Sequence, residues 1–168
     1  EGRNKRLGVS GKPDFSDPYR APLWDARGRH VYLLAQGKVW RLDTRTGQSI
    51  VAAAIPDRMV TGIIGRAGDA LWVIATDGER ARNAIHRLDL QSGETRLLVE
   101  EPKHYSTTFN AAVDKTGATV VFVAEDIRHP PDIWAVHSRG DRTPRQVTHL
   151  NAAFEKYELG ESRLIGWK

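Results

Sequence analysis

The chain has 168 residues, a formal net charge of +4 and no cysteine, and 27% of its residues are charged. Without cysteine, this sequence cannot form disulfides, thiolate metal sites or a cysteine nucleophile. Its longest fully apolar runs are about five or six residues, whereas a transmembrane helix needs about 20, so we expect no membrane partner. No basic segment followed by an apolar run occurs at Glu1, so no signal peptide is expected there, and the compartment stays open.

The excess of basic over acidic residues does not by itself indicate that the chain binds nucleic acid. Its 25 lysines and arginines are interleaved with 21 acids, as in residues 77–82. Only residues 3–6 are purely basic, which is typical of a solvated tail. The sequence has neither a ribonucleoprotein motif nor zinc-finger spacing, so we expect no nucleic-acid partner.

Three segments repeat the same order of features, which is a turn, an apolar run, an alternating strand and a glycine turn. The copies begin at Trp24, Gly65 and Val113. The closing glycines, Gly47, Gly93 and Gly140, are separated by 46 and 47 residues. Spacing this regular indicates that one structural unit is used three times.

Each copy predicts four short strands. Two of the opening turns have the pattern Asp-x-x-Gly, from Asp25 to Gly28 and from Asp114 to Gly117. Asp opens such turns with its side chain, and Gly tolerates the positive φ at their ends. The runs that follow are apolar at consecutive positions, which predicts strands covered on both faces. These runs are residues 31–35, 70–75 and 119–124, and in the first copy an alternating strand at 39–43 and a last strand near 48–53 follow.

A period of about 40 to 50 residues with four strands per unit is typical of a β-propeller blade. We therefore predict an all-β fold, with a β-sandwich as the alternative. Closed propellers have typically 4 to 8 blades, and this length fits about three and a half, so we predict a partial propeller. The predicted units are a tail or preceding blade end (1–19), three blades (20–59, 60–103 and 104–151) and the start of a further blade (152–168).

The last part of the chain carries a family resemblance. Residues 122–126 and 130–134 read as a strand, a loop and a proline-bounded strand, and residues 145–151 and 164–168 follow as a blade ending and a further strand. These segments resemble the propeller of the prolyl oligopeptidase family of serine peptidases, in its dipeptidyl-peptidase and acylaminoacyl-peptidase branch. The resemblance covers residues 22–168 and is most specific over 122–151, whereas the earlier blades also suit a TolB-type or WD-like propeller.

The resemblance implies a non-catalytic propeller segment that limits access to the active site of a peptidase to short peptides. It implies two partners in the parent protein, an α/β-hydrolase domain and a peptide substrate. Ser10, Ser49 and Ser162 each follow the pattern Gly-x-Ser but lack the second glycine of the nucleophile motif. We therefore predict no catalytic residue and no activity of this chain alone. The alternative is a stand-alone scaffold that binds other proteins.

Two pairs of adjacent carboxylates are candidate binding residues. Glu100 and Glu101 formally match the glutamate pair with which dipeptidyl-type members of the resembled family hold a substrate's amino terminus. The pair ends a predicted strand, however, so we interpret it as a solvated turn before Pro102. Glu125 and Asp126 are also adjacent, and neighbours on a strand point to opposite faces, so a glycosidase pair is not expected. No substrate-binding residue is assigned.

The histidines and tryptophans complete the candidates. No two of the six histidines have the short spacing that places two ligands on one metal, so we predict no metal and no cofactor. They are His30, His86, His104, His129, His137 and His149. Trp40, His86 and Trp134 occupy matching repeat positions, which predicts packing between blades. An open arc of blades would expose apolar faces, so we also expect the chain to self-associate.

Overall fold

The computed structural model describes residues 22–105, 111–157, 160, 161, 163, 165 and 166. They form three antiparallel sheets, and the chain completes each sheet before it begins the next. Blade 1 contains β1 (Leu23–Trp24), β2 (His30–Ala35), β3 (Lys38–Asp43) and β4 (Ser49–Ala53). Blade 2 contains β5 (Met59–Ala67), β6 (Ala70–Asp77), β7 (Arg82–Asp89) and β8 (Thr95–Glu101). Blade 3 contains β9 (His104–Tyr105), β10 (Ala111–Val113), β11 (Thr119–Glu125), β12 (Asp132–His137) and β13 (Arg145–Gln146), with β9 paired to β11.

The predicted Asp-x-x-Gly turns are confirmed. In blade 1 the Asp25 carboxylate accepts a hydrogen bond from the backbone N–H of Arg29, at 2.8 Å. In blade 3 the Asp114 carboxylate accepts one from a backbone N–H four residues later, at 2.9 Å. Gly28 and Gly117 have φ values of 65° and 72°, a region that glycine enters without steric cost. The turn therefore follows from its own sequence.

A second repeated turn joins the third and fourth strands of blades 1 and 2. The Asp43 carboxylate accepts hydrogen bonds from the backbone N–H groups of Arg45 and Thr46, and the N–H of Gly47 bonds to the Asp43 carbonyl. The N–H of Thr46 is the largest of the influences that bring the pKa of the Asp43 carboxyl to about 2. Asp89 makes the corresponding contacts in blade 2.

The middle blade is buried on both faces, as the apolar run of its second strand predicts. Residues 70–75 of β6 are all between 0 and 3% exposed. Alternate side chains pack against opposite neighbours, because successive side chains of a strand point to opposite faces. The side chains that face blade 1 are those of Leu71, Val73 and Ala75, and the side chains that face blade 3 are those of Ala70, Trp72 and Ile74. The protein core therefore consists of two apolar layers, one on each side of blade 2.

The equivalent strand of blade 3 is buried on one face only. Val120 and Phe122 are fully buried toward blade 2, whereas Val121, between them, is 38% exposed. The expectation that this run is covered on both faces is therefore wrong for β11. The physical reason is that Val121 lies on the face that points away from blade 2, and blade 3 is the last sheet among the described residues.

Six of the 17 residues of the predicted further half-blade lie outside the described residues, as does the whole predicted tail at 1–19. The first residues of the half-blade form a short 3-10 helix, Ala152–Lys156. The predicted blade boundaries at 59/60 and 103/104 remain predictions. Within the described part of the chain, no helix is long and apolar enough to cross a membrane.

Candidate functional site

The antiparallel strand order gives each blade two ends with different connections. At one end, which we call the turn end, lie the tight turns between the first and second strands and between the third and fourth strands. At the other end, the loop end, lie the connections between blades and between the second and third strands. Polar clusters occur at both ends of the interfaces between blades, and the candidate residues divide between them.

Glu100 lies at the loop end, between blades 1 and 2. It accepts a hydrogen bond of 2.7 Å from Nη2 of Arg58, which lies in the connection between these blades. Nη1 of Arg82 is 3.6 Å from its other oxygen. The Glu100 side chain is 20% exposed and that of Arg58 is 13% exposed, so this ion pair is largely removed from water. Glu100 therefore ties the connection between the blades to the last strand of blade 2.

Glu101 has a separate set of partners. It accepts a hydrogen bond of 3.1 Å from the hydroxyl of Tyr105, and Nζ of Lys103 lies 3.5 Å away. Burial, followed by the charge of Glu101, raises the pKa of the Tyr105 hydroxyl. The Lys103 ammonium also lies 3.6 Å from the ring centroid of Trp134 in blade 3. Glu101 is therefore engaged toward blade 3.

The adjacent carboxylates consequently do not form one binding pair. Glu100 is ion-paired with Arg58, and Glu101 with Lys103. The interpretation of this segment as a solvated turn is also wrong, because the two side chains are only 20% and 21% exposed. Both positive partners come from connections between blades, which the local sequence does not reveal.

His86 occupies the position that matches Trp40 and Trp134, as the strand register confirms. It is 7% exposed, in agreement with the predicted packing between blades. Burial lowers the pKa of the His86 ring, the positive charge of Arg58 lowers it further, and the carboxylate of Glu100 opposes them. Both ring nitrogens of His86 and Nη1 of Arg58 are buried without a hydrogen-bond partner among the described residues.

The other histidine contacts involve carboxylates or a threonine. Nδ1 of His30 is 2.9 Å from the Asp25 carboxylate, and Nδ1 of His129 is 2.7 Å from that of Asp126. Nδ1 of His137 lies 3.2 Å from the hydroxyl of Thr119. Of the three serines considered as nucleophiles, Ser49 has a buried hydroxyl with no hydrogen-bond partner among the described residues, and Ser10 and Ser162 lie outside them.

The carboxylate of Asp126, at the start of the 126–131 loop, is used structurally. Asp126 accepts hydrogen bonds from the backbone N–H groups of Arg128 and His129, at 2.8 and 2.9 Å. Burial raises the pKa of the Asp126 carboxyl, but these bonds and the His129 ring lower it more. Within residues 22–105 and 111–157 and the few described beyond them, no group of three or more His, Asp or Glu side chains could hold a metal ion.

A cavity of about 350 Å³ lies at the turn end, between blades 2 and 3. We call it the arginine cleft, because four arginines line it together with Trp72 and the hydroxyl-bearing Thr116 and Ser138. The arginines are Arg87, Arg96, Arg139 and Arg142. Two come from the outer strands of blade 2, and two from the turn that follows β12 of blade 3. The sequence analysis missed this site, because its residues meet only when the blades stack.

Strand pairing places part of the cleft in one row. Arg87 is opposite Trp72 on one side and opposite Arg96 on the other. The Arg87 guanidinium lies 5.8 Å from the centroid of the Trp72 ring. Its Nη2 is 3.6 Å from the Asp89 carboxylate. One wall of the cleft therefore consists of the Trp72 ring followed by the positively charged Arg87 and Arg96.

The equivalent groove between blades 1 and 2 has a lining of different charge from that of the arginine cleft. It has a volume of about 250 Å³ and also lies beside the turns. Its lining includes Asp25 and Asp69 as well as Arg27, His30 and Arg66. Among the described residues that line the arginine cleft, none is acidic. The uniform positive charge is thus a property of this particular cleft and not of the repeated fold.

Comparison with known proteins identifies the fold. No protein-family model and no curated protein sequence matches this chain. Among solved structures, an oligogalacturonate lyase in complex with manganese matches with a TM-score of 0.63 and 17% identity over 76% of this chain. TolB from Acinetobacter baumannii matches with a TM-score of 0.60 and 14% identity over 77% of the chain. A puromycin-hydrolyzing peptidase of Mycobacterium tuberculosis matches with a TM-score of 0.57 and 16% identity over 76% of the chain.

The chain folds as part of a β-propeller. It spans 39%, 32% and 20% of the lyase, TolB and peptidase chains, respectively. At such identities the likeness concerns the fold, and the three blades agree with the predicted partial propeller. The neighbours include a peptidase, as the family resemblance implied, but they also include two proteins that are not named as peptidases.

Proposed function

We propose that this propeller segment belongs to a serine peptidase and limits access to its active site to short peptides. The likeness to a puromycin-hydrolyzing peptidase supports the proposal, as does the family resemblance over residues 122–151. Acyl transfer would then require a Ser-His-Asp triad elsewhere in the parent protein.

The observation that carries the proposal is the contrast between the faces of the middle and outer blades. Ala112, Val121 and Ala135 are opposite one another on the outward face of blade 3, and we call them the blade 3 stripe. Val121 occupies the position that Trp72 holds in blade 2, where blade 3 covers it. A further blade of the same protein would cover the blade 3 stripe in the same way.

The proposed gating mechanism is steric. Blades packed through continuous apolar layers form a rigid wall, because protein interiors are close-packed and resist deformation. A narrow passage through such a wall admits a flexible peptide and excludes a folded protein. The propeller therefore selects substrates by size, and its side chains need not contact the scissile bond.

The experiment is to isolate the native protein that carries this chain and label it with a fluorophosphonate, which reacts with activated serines. A separate, unlabelled portion of the protein is given one cleavable sequence, either as a short peptide, with increasing flanks, or within a folded protein, because the label blocks the serine that it modifies. We expect labelling, rapid cleavage of the short peptide and none of the folded protein. A native protein of 18.8 kDa that is not labelled would refute the proposal and favour the protein-binding scaffold.

Labelling alone would not establish gating, so a second comparison addresses the blades. Gly117→Ala is expected to disturb the contact between blades 2 and 3, whereas Gly28→Ala changes the equivalent turn without such a contact. If the blades form the gate, Gly117→Ala raises cleavage of long substrates relative to short ones, and Gly28→Ala does not. Equal ratios in both variants would show that the peptidase selects its substrates by other means.

A further inference from the structure

We propose that the arginine cleft binds a compact oxyanion with two or more negative charges, of which a phosphate or diphosphate group is the type. This inference goes beyond the proposed gating, which needs no ligand at this place. It rests on the charge of the lining residues, on their register and on the hydroxyl-bearing residues beside them.

The described residues do not neutralise the positive charge in the cleft. Among its four arginines, Arg87 is the one whose guanidinium lies near a described carboxylate, that of Asp89, and this pair is 3.6 Å apart and partly exposed. The side chains of Arg96, Arg139 and Arg142 form no ion pair or hydrogen bond with another described residue. The carboxylate of Asp141, on the same turn, is paired with Arg145 instead, at 3.6 Å.

The register of the strands adds an energetic argument. Arg87 and Arg96 are directly opposite each other on β7 and β8. Like charges in this arrangement destabilise a sheet. An anion bound between the two guanidinium groups would convert this repulsion into two attractive contacts. The arrangement is therefore better suited to a ligand-bound cleft than to an empty one.

Neutral donors lie beside the arginines. The hydroxyl-bearing residues Thr116 and Ser138 line the same cavity. Trp72 also lines it, but its indole N–H is buried and has no hydrogen-bond partner among the described residues, so a ligand reaches this donor only if the ring moves. A ligand rich in acceptor oxygens would match the hydroxyls and the guanidinium groups.

The chemistry of the lining defines the class of ligand. Guanidinium groups offer planar pairs of donors that match phosphate and carboxylate oxygens in bidentate geometry. Among the described lining residues the cations are all arginine. The volume of about 350 Å³ is near the lower limit for small-molecule sites, so it suits a compact ligand. Four positive charges favour a group with at least two negative charges over a single carboxylate.

The experiment is calorimetric titration of the purified protein with inorganic pyrophosphate, at low salt and at about 150 mM salt, where surface charges are screened. We expect saturable binding to one site. Arg96→Gln combined with Arg139→Gln should weaken binding at least about tenfold, because each removes a charged donor. The matched control, Arg27→Gln combined with Arg66→Gln, removes the same charge from the groove between blades 1 and 2 and should change binding less than about twofold.

Melting temperatures, measured without and with ligand, separate loss of the site from loss of the fold. Arg96→Gln alone should raise the melting temperature of the ligand-free protein, because it removes the repulsion from Arg87. Pyrophosphate should raise the melting temperature of the unmodified protein but not of the double variant. Absence of saturable binding, or equal weakening by the control variant, would overturn the proposal.

The source of the anion is a separate arm of the same experiment. A peptide that contains phosphoserine and free pyrophosphate are titrated against each other. Competition by the peptide would indicate a phosphate carried by a protein, and binding of pyrophosphate alone would indicate a free small molecule. Both results support the site, whereas binding of neither overturns it.

Discussion

Gly117, in the first turn of blade 3, lies directly against the indole of Trp72 in blade 2. A Cβ atom built at position 117 would lie 2.9 Å from Cζ2 of that ring and 3.3 Å from Cβ of Ala67. A separation of 2.9 Å is one that real Cβ atoms essentially never show. The absence of a side chain at Gly117 therefore allows the turn of one blade to close over the large side chain of the next.

Replacing this glycine should separate the two blades. Gly117→Ala combines backbone strain at φ 72° with a clash, whereas Gly28→Ala combines similar strain at φ 65° with open space. The strain alone costs about 1–2 kcal/mol, and overpacking adds about 1–3 kcal/mol. We therefore expect the free energy of unfolding to fall further for Gly117→Ala, as measured by urea denaturation. Equal losses in the two variants would show that the added methyl group at position 117 does not clash with Trp72.

Stability should depend on pH through His86. The pKa of its ring is lower in the folded protein than the ordinary value of 6.5, mainly because of burial. As pH falls through 6.5, the unfolded chain takes up a proton more readily than the folded one, so stability falls toward the lower, folded pKa. The slope for one proton is at most about 1.4 kcal/mol per pH unit.

The test is denaturation at several pH values between about 7.5 and 5, a window chosen around the ordinary histidine pKa. His86→Leu removes the titrating ring and keeps the side chain apolar, so its stability should change less over this window. The His30→Leu variant serves as a control, because that ring lies beside Asp25 and Asp43 instead of in the apolar layer. A pH dependence that His86→Leu leaves intact would assign it to other groups.

Two arginines contact the same carboxylate but should differ in importance. Arg58→Ala leaves Glu100 without its 2.7 Å partner at a largely buried place, and we expect a loss of about 1–3 kcal/mol. Arg82→Ala removes a more exposed partner at 3.6 Å, and we expect less than about 1 kcal/mol. Chemical denaturation of both variants checks the order.

The same pair of variants has a second readout. Because the positive charge of Arg58 lowers the pKa of His86, Arg58→Ala should raise the pKa of that ring, as followed by NMR titration. Arg82→Ala should leave it nearly unchanged. If Arg58→Ala destabilised the protein without moving the His86 titration, its role would be packing alone.

The blade 3 stripe should promote association of the isolated chain, as expected from the sequence. Val121→Lys places a charge on this face and should lower the average mass in light scattering at high protein concentration. Ala26→Lys adds the same charge at an exposed turn of blade 1 and should leave association unchanged. A monomeric unmodified chain, or equal effects of both variants, would contradict this prediction.

The repeated elements could be predicted because their information is local. The turn from Asp25 to Gly28 depends on a carboxylate that reaches its own backbone and on a glycine that accepts positive φ. The apolar run of residues 70–75 indicated a strand covered on both faces, and the matching positions of Trp40, His86 and Trp134 indicated packing between blades. The turn and the apolar run each lie within one repeat, where neighbours along the chain are neighbours in space, and the matching positions show the same repeat used three times.

The polar sites depended on the stacking of blades. Glu100 and Glu101 are adjacent in sequence, yet they bind Arg58 and Lys103 from different connections, which no local pattern indicated. The arginine cleft likewise joins Arg96 with Arg139 across an interface between blades. Turns and strands follow from short-range sterics and periodicity, whereas the partner of a charged side chain follows from how the apolar faces of separate sheets pack together.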